Sequence, residues 1–296
     1  MRLSCAVAVA CAVVAGSVCV SASSEAKPME VPFDFFKNEV LVEVMIDGKG
    51  PFTMMLDTGT DPSAIDLATA DALGIRRSGK GQSASGGGTD KNFAFACTLK
   101  NVEVGALKVA SIDAAAIDLS KVSDRLGRHL DGVLGHSLLN KRIVQFDYPH
   151  LIVRFLDQTP PVAAGAMTMK FRYADNVLID GVRINGVRAT GNLDTGSSGL
   201  FSLTPAATTR LGLTAEAAKA AVSSSVGYNG KSEHRVGKLA SLTIGELEIR
   251  DADVTYLTAG TGYDKRPWDV NIGNQFFKDF IVTIDYPKKT VTFAKP

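Results

Sequence analysis

Two short segments of this sequence carry groups able to move protons, Asp57-Thr58-Gly59-Thr60 and Asp194-Thr195-Gly196-Ser197. A single carboxylate cannot serve as base and acid at the same instant. Two carboxyls held within hydrogen-bonding distance share one proton, because like charges that close cannot both ionise. Such a pair titrates jointly and can withdraw a proton from one group while offering one to another. Asp and Gly both favour turns, so one Asp-Thr-Gly alone reads as a loop. By chance a given tripeptide occurs in about 4% of chains this long, which makes one copy weak evidence. Two copies need a further explanation.

That explanation is a duplication. The second Asp-Thr-Gly follows the first at an offset of 137 residues. Leu73-Gly74-Ile75 recurs as Leu211-Gly212-Leu213, and Val133-Leu134-Gly135 as Asn271-Ile272-Gly273, both at 138. Asp147-Tyr148-Pro149 recurs as Asp285-Tyr286-Pro287, again at 138, and Gly105 as Gly245 at 140. Five landmarks in one order and at nearly constant spacing define a chain written twice.

The elements that must position the carboxyls read as β structure. Val40 to Ile46 and Phe52 to Leu56 flank Asp47-Gly48, a dipeptide suited to the positive φ angles of a tight hairpin. The second copy repeats this with Val182 to Ile184, Asn185-Gly186 and Val187 to Leu193. Each hairpin delivers its Asp turn from the end of a hydrophobic strand. A short helix is expected next, near Leu67 to Leu73 in the first copy, with Asp66 as cap and Gly74 as stop. In the second, Thr204 caps, Pro205 takes the first turn and Gly212 stops it. Ala215 to Val222 is Ala-rich and predicts one more helix. Lys238 to Ile244, Glu246 to Ile249 and Ile281 to Phe293 read as further strands. Gln158 to Gly165 has linker composition, which places the lobe boundary at 160/161. The expected fold is mainly β, two pseudo-symmetric barrel-like lobes (23–160 and 161–296) with a few short helices.

With these motifs in place, the sequence resembles the pepsin-like and retropepsin-like aspartic proteases, with both halves in one chain. The motifs that carry the resemblance are Leu56-Asp57-Thr58-Gly59-Thr60, Leu193-Asp194-Thr195-Gly196-Ser197 and the downstream hydrophobic-hydrophobic-Gly of each half. Asn271 departs from that downstream pattern. The resemblance implies an aspartic endopeptidase in which Asp57 and Asp194 are catalytic. A water activated between them would attack the peptide carbonyl, with no metal, cofactor or covalent intermediate required. It implies that Thr58 and Thr195 hydrogen-bond across the lobe interface, and that Thr60 and Ser197 bond the outer carboxylate oxygens. Gly59 and Gly196 would let the two backbones approach without a Cβ clash. A flap over the substrate is also implied. Gly-rich loops stand in both halves, Ser83 to Thr89 and Ser225 to Lys231, more like the two-flap viral enzymes than pepsin. The first loop lacks the flap Tyr of pepsins, so Gly86, Gly87 and, from the other half, Tyr228 are the candidate substrate-binding residues. Two rival readings share these motifs: a non-catalytic peptide- or protein-binding module that kept the cleft, and a highly selective processing protease with one partner protein.

Other signals are weaker. His129, His136, His150 and His234 stand apart, and no two have the spacing of a helical metal pair, so no metal site is expected. Gly196-Ser197-Ser198-Gly199 lacks the flanks of a nucleophile elbow, and Gly86-Gly87-Gly88 lacks the Lys of a phosphate loop. Trp268 reads as core near the cleft. Arg2, the apolar run from Cys5 to Val20 and Val20-Ser21-Ala22 compose a signal peptide over 1–22, which points to a periplasmic or secreted protein without a stable membrane span. Cutting after Ala22 removes Arg2 and leaves 31 acidic side chains in balance with the basic ones. A neutral chain without basic runs is a poor partner for nucleic acid. The cut also removes Cys5, Cys11 and Cys19, so Cys97 is left without an internal disulfide partner and reads as a small buried residue. Peptide or protein is the expected substrate, and a monomer suffices because one chain brings both Asp turns.

Overall fold

The computed structural model describes residues 28–84 and 86–296. The 1–22 signal-peptide expectation lies outside the described residues, as does Ser85 of the first Gly-rich loop. The fold is mainly β and two-lobed, and the duplication is visible strand by strand. Each lobe is an eight-stranded sheet whose spatial order is the same in both copies. In the first the order runs Asp34–Phe36, Glu39–Ile46, Lys49–Leu56, Gly132–Leu134, Ser63–Asp66, Leu107–Ile117, Phe93–Val104, Ser78–Ser83. The second substitutes Arg172–Tyr173, Val177–Ile184, Val187–Leu193, Val270–Ile272, Phe201–Leu203, Leu247–Leu257, Gly230–Ile244 and Ala221–Gly227. An extra pairing folds each sheet back on itself, Val44 opposite Val104 in one lobe and Val182 opposite Ile244 in the other.

A third sheet joins the lobes, with three strands from each. Ile143–Asp147 of the first half runs antiparallel to Ile281–Asp285 of the second, with Val144 opposite Ile284. The main buried apolar cluster therefore spans both lobes, holding Val42, Leu56 and Phe146 together with Leu193, Phe201 and Ile284, while a smaller first-lobe cluster around Leu41, Val122 and Leu126 stands apart. Burying each such side chain stabilises the fold by about 1.5–3 kcal/mol. Cys97 is among them.

The hairpin turns use the conformations their residues allow. Asp47 and Gly48 have φ of 50° and 71°, Asn185 and Gly186 of 48° and 82°. The helix Leu67–Leu73 is capped by the Asp66 side chain and stopped by left-handed Gly74. The helix Pro205–Arg210 is capped by Thr204. The Ala-rich stretch needs a correction. Its helix, Thr214–Lys219, ends early, and Ala221–Gly227 is a strand paired with Gly230–Ile244. Cross-strand hydrogen bonds available over the whole segment override alanine's helix preference there. Glu246 likewise sits in the turn and not in the strand, because Gly245 at φ 57° reverses the chain before Leu247. A helix that the sequence pattern did not signal, Ser120–Leu126, has no side-chain cap and is held by burying Val122 and Leu126.

Candidate active site

Each Asp turn leaves the end of a buried strand and is propped by its neighbour. Leu56 pairs in parallel with Leu134, and the Asp57 N–H donates to the Leu134 carbonyl at 3.0 Å. Leu193 pairs with Ile272 in the same way, and the Asp194 N–H donates to the Ile272 carbonyl, also at 3.0 Å. The two turns then lock together. The Thr58 N–H donates to Thr195 Oγ1 at 3.0 Å, and the Thr195 N–H to Thr58 Oγ1 at 3.1 Å. Each hydroxyl passes its own proton on across the interface, Thr58 to the Leu193 carbonyl at 2.7 Å and Thr195 to the Leu56 carbonyl at 2.8 Å. All four groups are buried, so each bond also spares an unpaired polar atom its desolvation cost of about 1–3 kcal/mol.

The lock brings Asp57 and Asp194 side by side, each carboxyl lying against the glycine of the other's turn. Glycine is required at both turns. A Cβ on Gly59 would stand 2.8 Å from Asp194 Oδ1, and one on Gly196 only 2.2 Å from Asp57 Cγ. The backbone amides of the same glycines donate inward, Gly59 to Asp57 Oδ1 at 2.6 Å and Gly196 to Asp194 Oδ1 at 3.0 Å.

The outer oxygens are served differently. Thr60 Oγ1 donates to Asp57 Oδ2 at 2.5 Å. Ser197, expected to do the same for Asp194, does not. Its Oγ lies toward Gly273, while Asn271 Nδ2 donates to Asp194 Oδ2 at 2.7 Å. Asn271 is aimed by Asn192, whose Nδ2 donates to Asn271 Oδ1 at 2.6 Å. The neighbouring strand thus supplies the donor that the turn was expected to supply, and Asn271's departure from the hydrophobic pattern acquires its reason. Burial, and next the charge of Asp57, raise the pKa of Asp194 well above the usual carboxylate range, against the lowering pull of Asn271.

A cavity of about 440 Å³ lies over the pair, with Asp57 and Asp194 on its floor and Gly86, Gly87 and Tyr228 in its roof. The roof is made by both lobes. The Asn229 N–H donates to the Gly87 carbonyl at 2.9 Å, the Asp90 N–H to the Asn229 carbonyl at 2.8 Å, and Gly88 bridges to Asn229. Tyr228 hangs from the second-lobe hairpin, yet its hydroxyl reaches the first-lobe turn, 3.1 Å from Thr60 Oγ1 and 3.4 Å from Asp57 Oδ2. Trp268 is buried and lines the same cavity.

Sequence reasoning missed two residues beside the pair. Glu39 is fully buried, and burial pushes its pKa up to about 8, although Arg125 lies 2.7 Å away and opposes that shift. Arg125 lines the cavity and also donates to Ser198 Oγ, at 3.3 Å, across the lobes. The one signal available was the repeat itself, because the matching position is Val177. Of the histidines, His129 and His150 lie beside Asp131 and Asp147, and His136 stacks on Tyr173. No cluster of three or more metal-ligating side chains occurs among the described residues.

A two-lobed β fold with paired, cross-locked Asp-Thr-Gly turns under a roofed cleft defines the class of retropepsin-like aspartic proteases. The family model described as aspartyl protease matches the chain twice, over residues 42–138 and 181–276, and the chain belongs to that family. A protease-type, hydrolytic function and a peptide substrate follow from that membership. No curated protein matches the chain. No helix among the described residues is long and apolar enough to cross a membrane.

Proposed function

We propose that the protein is an aspartic endopeptidase in which Asp57 and Asp194 together activate a water for attack on a peptide carbonyl. The observation that carries this reading is the pair of adjoining carboxyls at the floor of a roofed cleft, with separate donors on each outer oxygen. Burial and the repulsion between the two carboxylates favour a state in which the pair holds one proton between Asp57 and Asp194. The ionised carboxylate withdraws a proton from the water, whose oxygen bonds to the carbonyl carbon. The protonated carboxyl gives its proton to the carbonyl oxygen, and a tetrahedral diol forms. The carboxyl that took the water's proton then passes it to the amide nitrogen while the other takes a proton back from a diol hydroxyl, so the C–N bond breaks, acid and amine leave, and the pair again holds one proton. Gly86, Gly87 and Tyr228 close the cleft over the peptide and exclude bulk water.

One chain supplies both carboxyls, which supports a monomer, and the 1–22 segment supports export to a periplasm or the medium. The test is a cleavage assay on residues 23–296 with a mixed peptide library at pH values from about 3 to 8. Asp57→Asn and Asp194→Asn should each lower turnover by roughly 10³-fold or more. Folded wild-type protein that binds peptides but cleaves none would sink the catalytic reading in favour of a binding module.

A further inference from the structure

We propose that Arg125 is a specificity-determining residue that receives a carboxylate group of the bound peptide. The inference rests on the proteolytic reading above and names a chemical class of substrate for that same site. Val122 and Arg125 stand about one helical turn apart on Ser120–Leu126, and both line the cavity over the Asp pair. The fully buried Glu39 accepts from Arg125 Nη2 at 2.7 Å, and Ser198 Oγ of the other lobe takes a longer bond, 3.3 Å, from Nη1. The Arg125 side chain stays 24% exposed, against 1% for Glu39. A guanidinium offers five N–H donors. Only two of those on Arg125 have partners among the described residues.

The charges around the cavity leave this cation over. Outside the Asp pair, the lining holds Lys265 and Arg266 against Asp61 and Asp175, which balance, and Arg125. Glu39 does not cancel it. Burial pushes the Glu39 pKa up to about 8 against the pull of Arg125, so at acid and neutral pH the carboxyl is neutral and the guanidinium charge stands uncompensated. A carboxylate carried in by a peptide meets that charge in a space the roof shields from water. Charge-assisted bonds from an arginine fork are strong in such a place.

The duplication shows that the fold does not need this pair. At the 138-residue offset Glu39 becomes Val177 and Arg125 becomes Tyr263, which lines the same cavity. A buried ion pair is a weak source of stability, and apolar groups of similar volume often serve as well or better. Here it is also incompletely satisfied, since Glu39 Oε2 and Arg125 Nε are buried without partners among the described residues. The first lobe thus carries a charge that its twin does without, and carries it where the substrate lies. The carboxylate it receives is an acidic side chain or the C-terminus of the peptide itself, two sources of one chemistry.

The test compares peptides that differ by one carboxylate, at about pH 6, where such a group is ionised. In one arm Glu is exchanged for Gln at each position around the cleaved bond of peptides with an amidated C-terminus. In the other, peptides without acidic side chains carry a free or an amidated C-terminus at varied distance from that bond. Both kcat/KM and the binding of uncleavable, reduced-bond versions would be measured. The proteins are the wild type, Arg125→Gln, and the double variant Glu39→Val/Arg125→Tyr, which copies the second lobe and leaves no buried carboxyl unpaired. The wild type should favour the carboxylate by roughly tenfold or more in one arm, and both variants should bring that ratio towards one. The arm that responds identifies the source. The folded fraction cancels in each ratio, so poor folding cannot mimic or hide the effect. Cleavage with no carboxylate preference, or with one that both variants keep, would overturn the role of Arg125 and leave the catalytic reading standing. Carboxylate-selective binding that both variants abolish, without cleavage by any form, would do the reverse.

Discussion

The two Asp turns come from one ancestral unit, yet each steadies its carboxylate by a different route. At the first turn the outer oxygen of Asp57 is bonded from within the turn, by Thr60, and from above by Tyr228. At the second the outer oxygen of Asp194 is bonded from the adjoining strand by Asn271, itself aimed by Asn192. What the copies share is the backbone frame: the Asp N–H on a strand carbonyl, the inward glycine amide and the crossed threonines. Two carboxyls this close share one proton even in equal surroundings, and unequal donors only bias which of them holds it. A duplicated chain starts with equal ones. In the proposed mechanism, divergence in the donors, on a frame kept equal, biases the shared proton without altering the backbone that holds the carboxyls together.

The shared frame should be the costliest part to remove. Thr58→Val and Thr195→Val each orphan a buried N–H and a buried carbonyl, at about 1–3 kcal/mol per group. Each should therefore lower stability by about 2–6 kcal/mol in urea unfolding, and by nearly the same amount as the other. Unequal losses would show that the frame is symmetric in geometry only.

The divergent donors should act on proton affinity. The bond from Asn271 favours ionised Asp194, so Asn271→Leu should raise the pair's apparent pKa values and move the kcat/KM profile to higher pH, by about one unit. Ser197→Ala should move it little, since Ser197 does not reach the carboxylate. A shift of the opposite sign, or an equal shift in Ser197→Ala, would break the proposed division between the turns.

The smallest effect belongs to the roof. Tyr228→Phe removes only the hydroxyl shared with Thr60 and Asp57, a bond worth about 1 kcal/mol, so kcat/KM should fall roughly fivefold. Unchanged kinetics would reduce Tyr228 to a packing residue of the hairpin tip.

Much of this was legible in the sequence, for identifiable reasons. Turn chemistry is local, so Asp47-Gly48, Asn185-Gly186, the Asp66 and Thr204 caps and the Gly74 stop could be read from a few residues each. The duplication converted one weak tripeptide into a paired site. The Ala-rich helix was overextended because the pairing of Ala221–Gly227 depends on a hairpin partner, and alanine gives no sign of it. The helix Ser120–Leu126 was missed because no cap announces it and its support is burial.

The sequence by itself determined that two carboxyl-bearing turns exist, that each ends a buried strand and that each carries the glycine a close approach demands. Only the tertiary structure decided which donors meet which oxygens. Asn271 lies 77 residues from Asp194, and Tyr228 lies 168 from Thr60 and on the other lobe. Ser197 stood beside Asp194 in the chain and was passed over. The physical reason is that hydrogen bonds form over about 3 Å with a required direction. Which side chain satisfies them depends on how strands and lobes dock, and chain proximity is no substitute for that geometry.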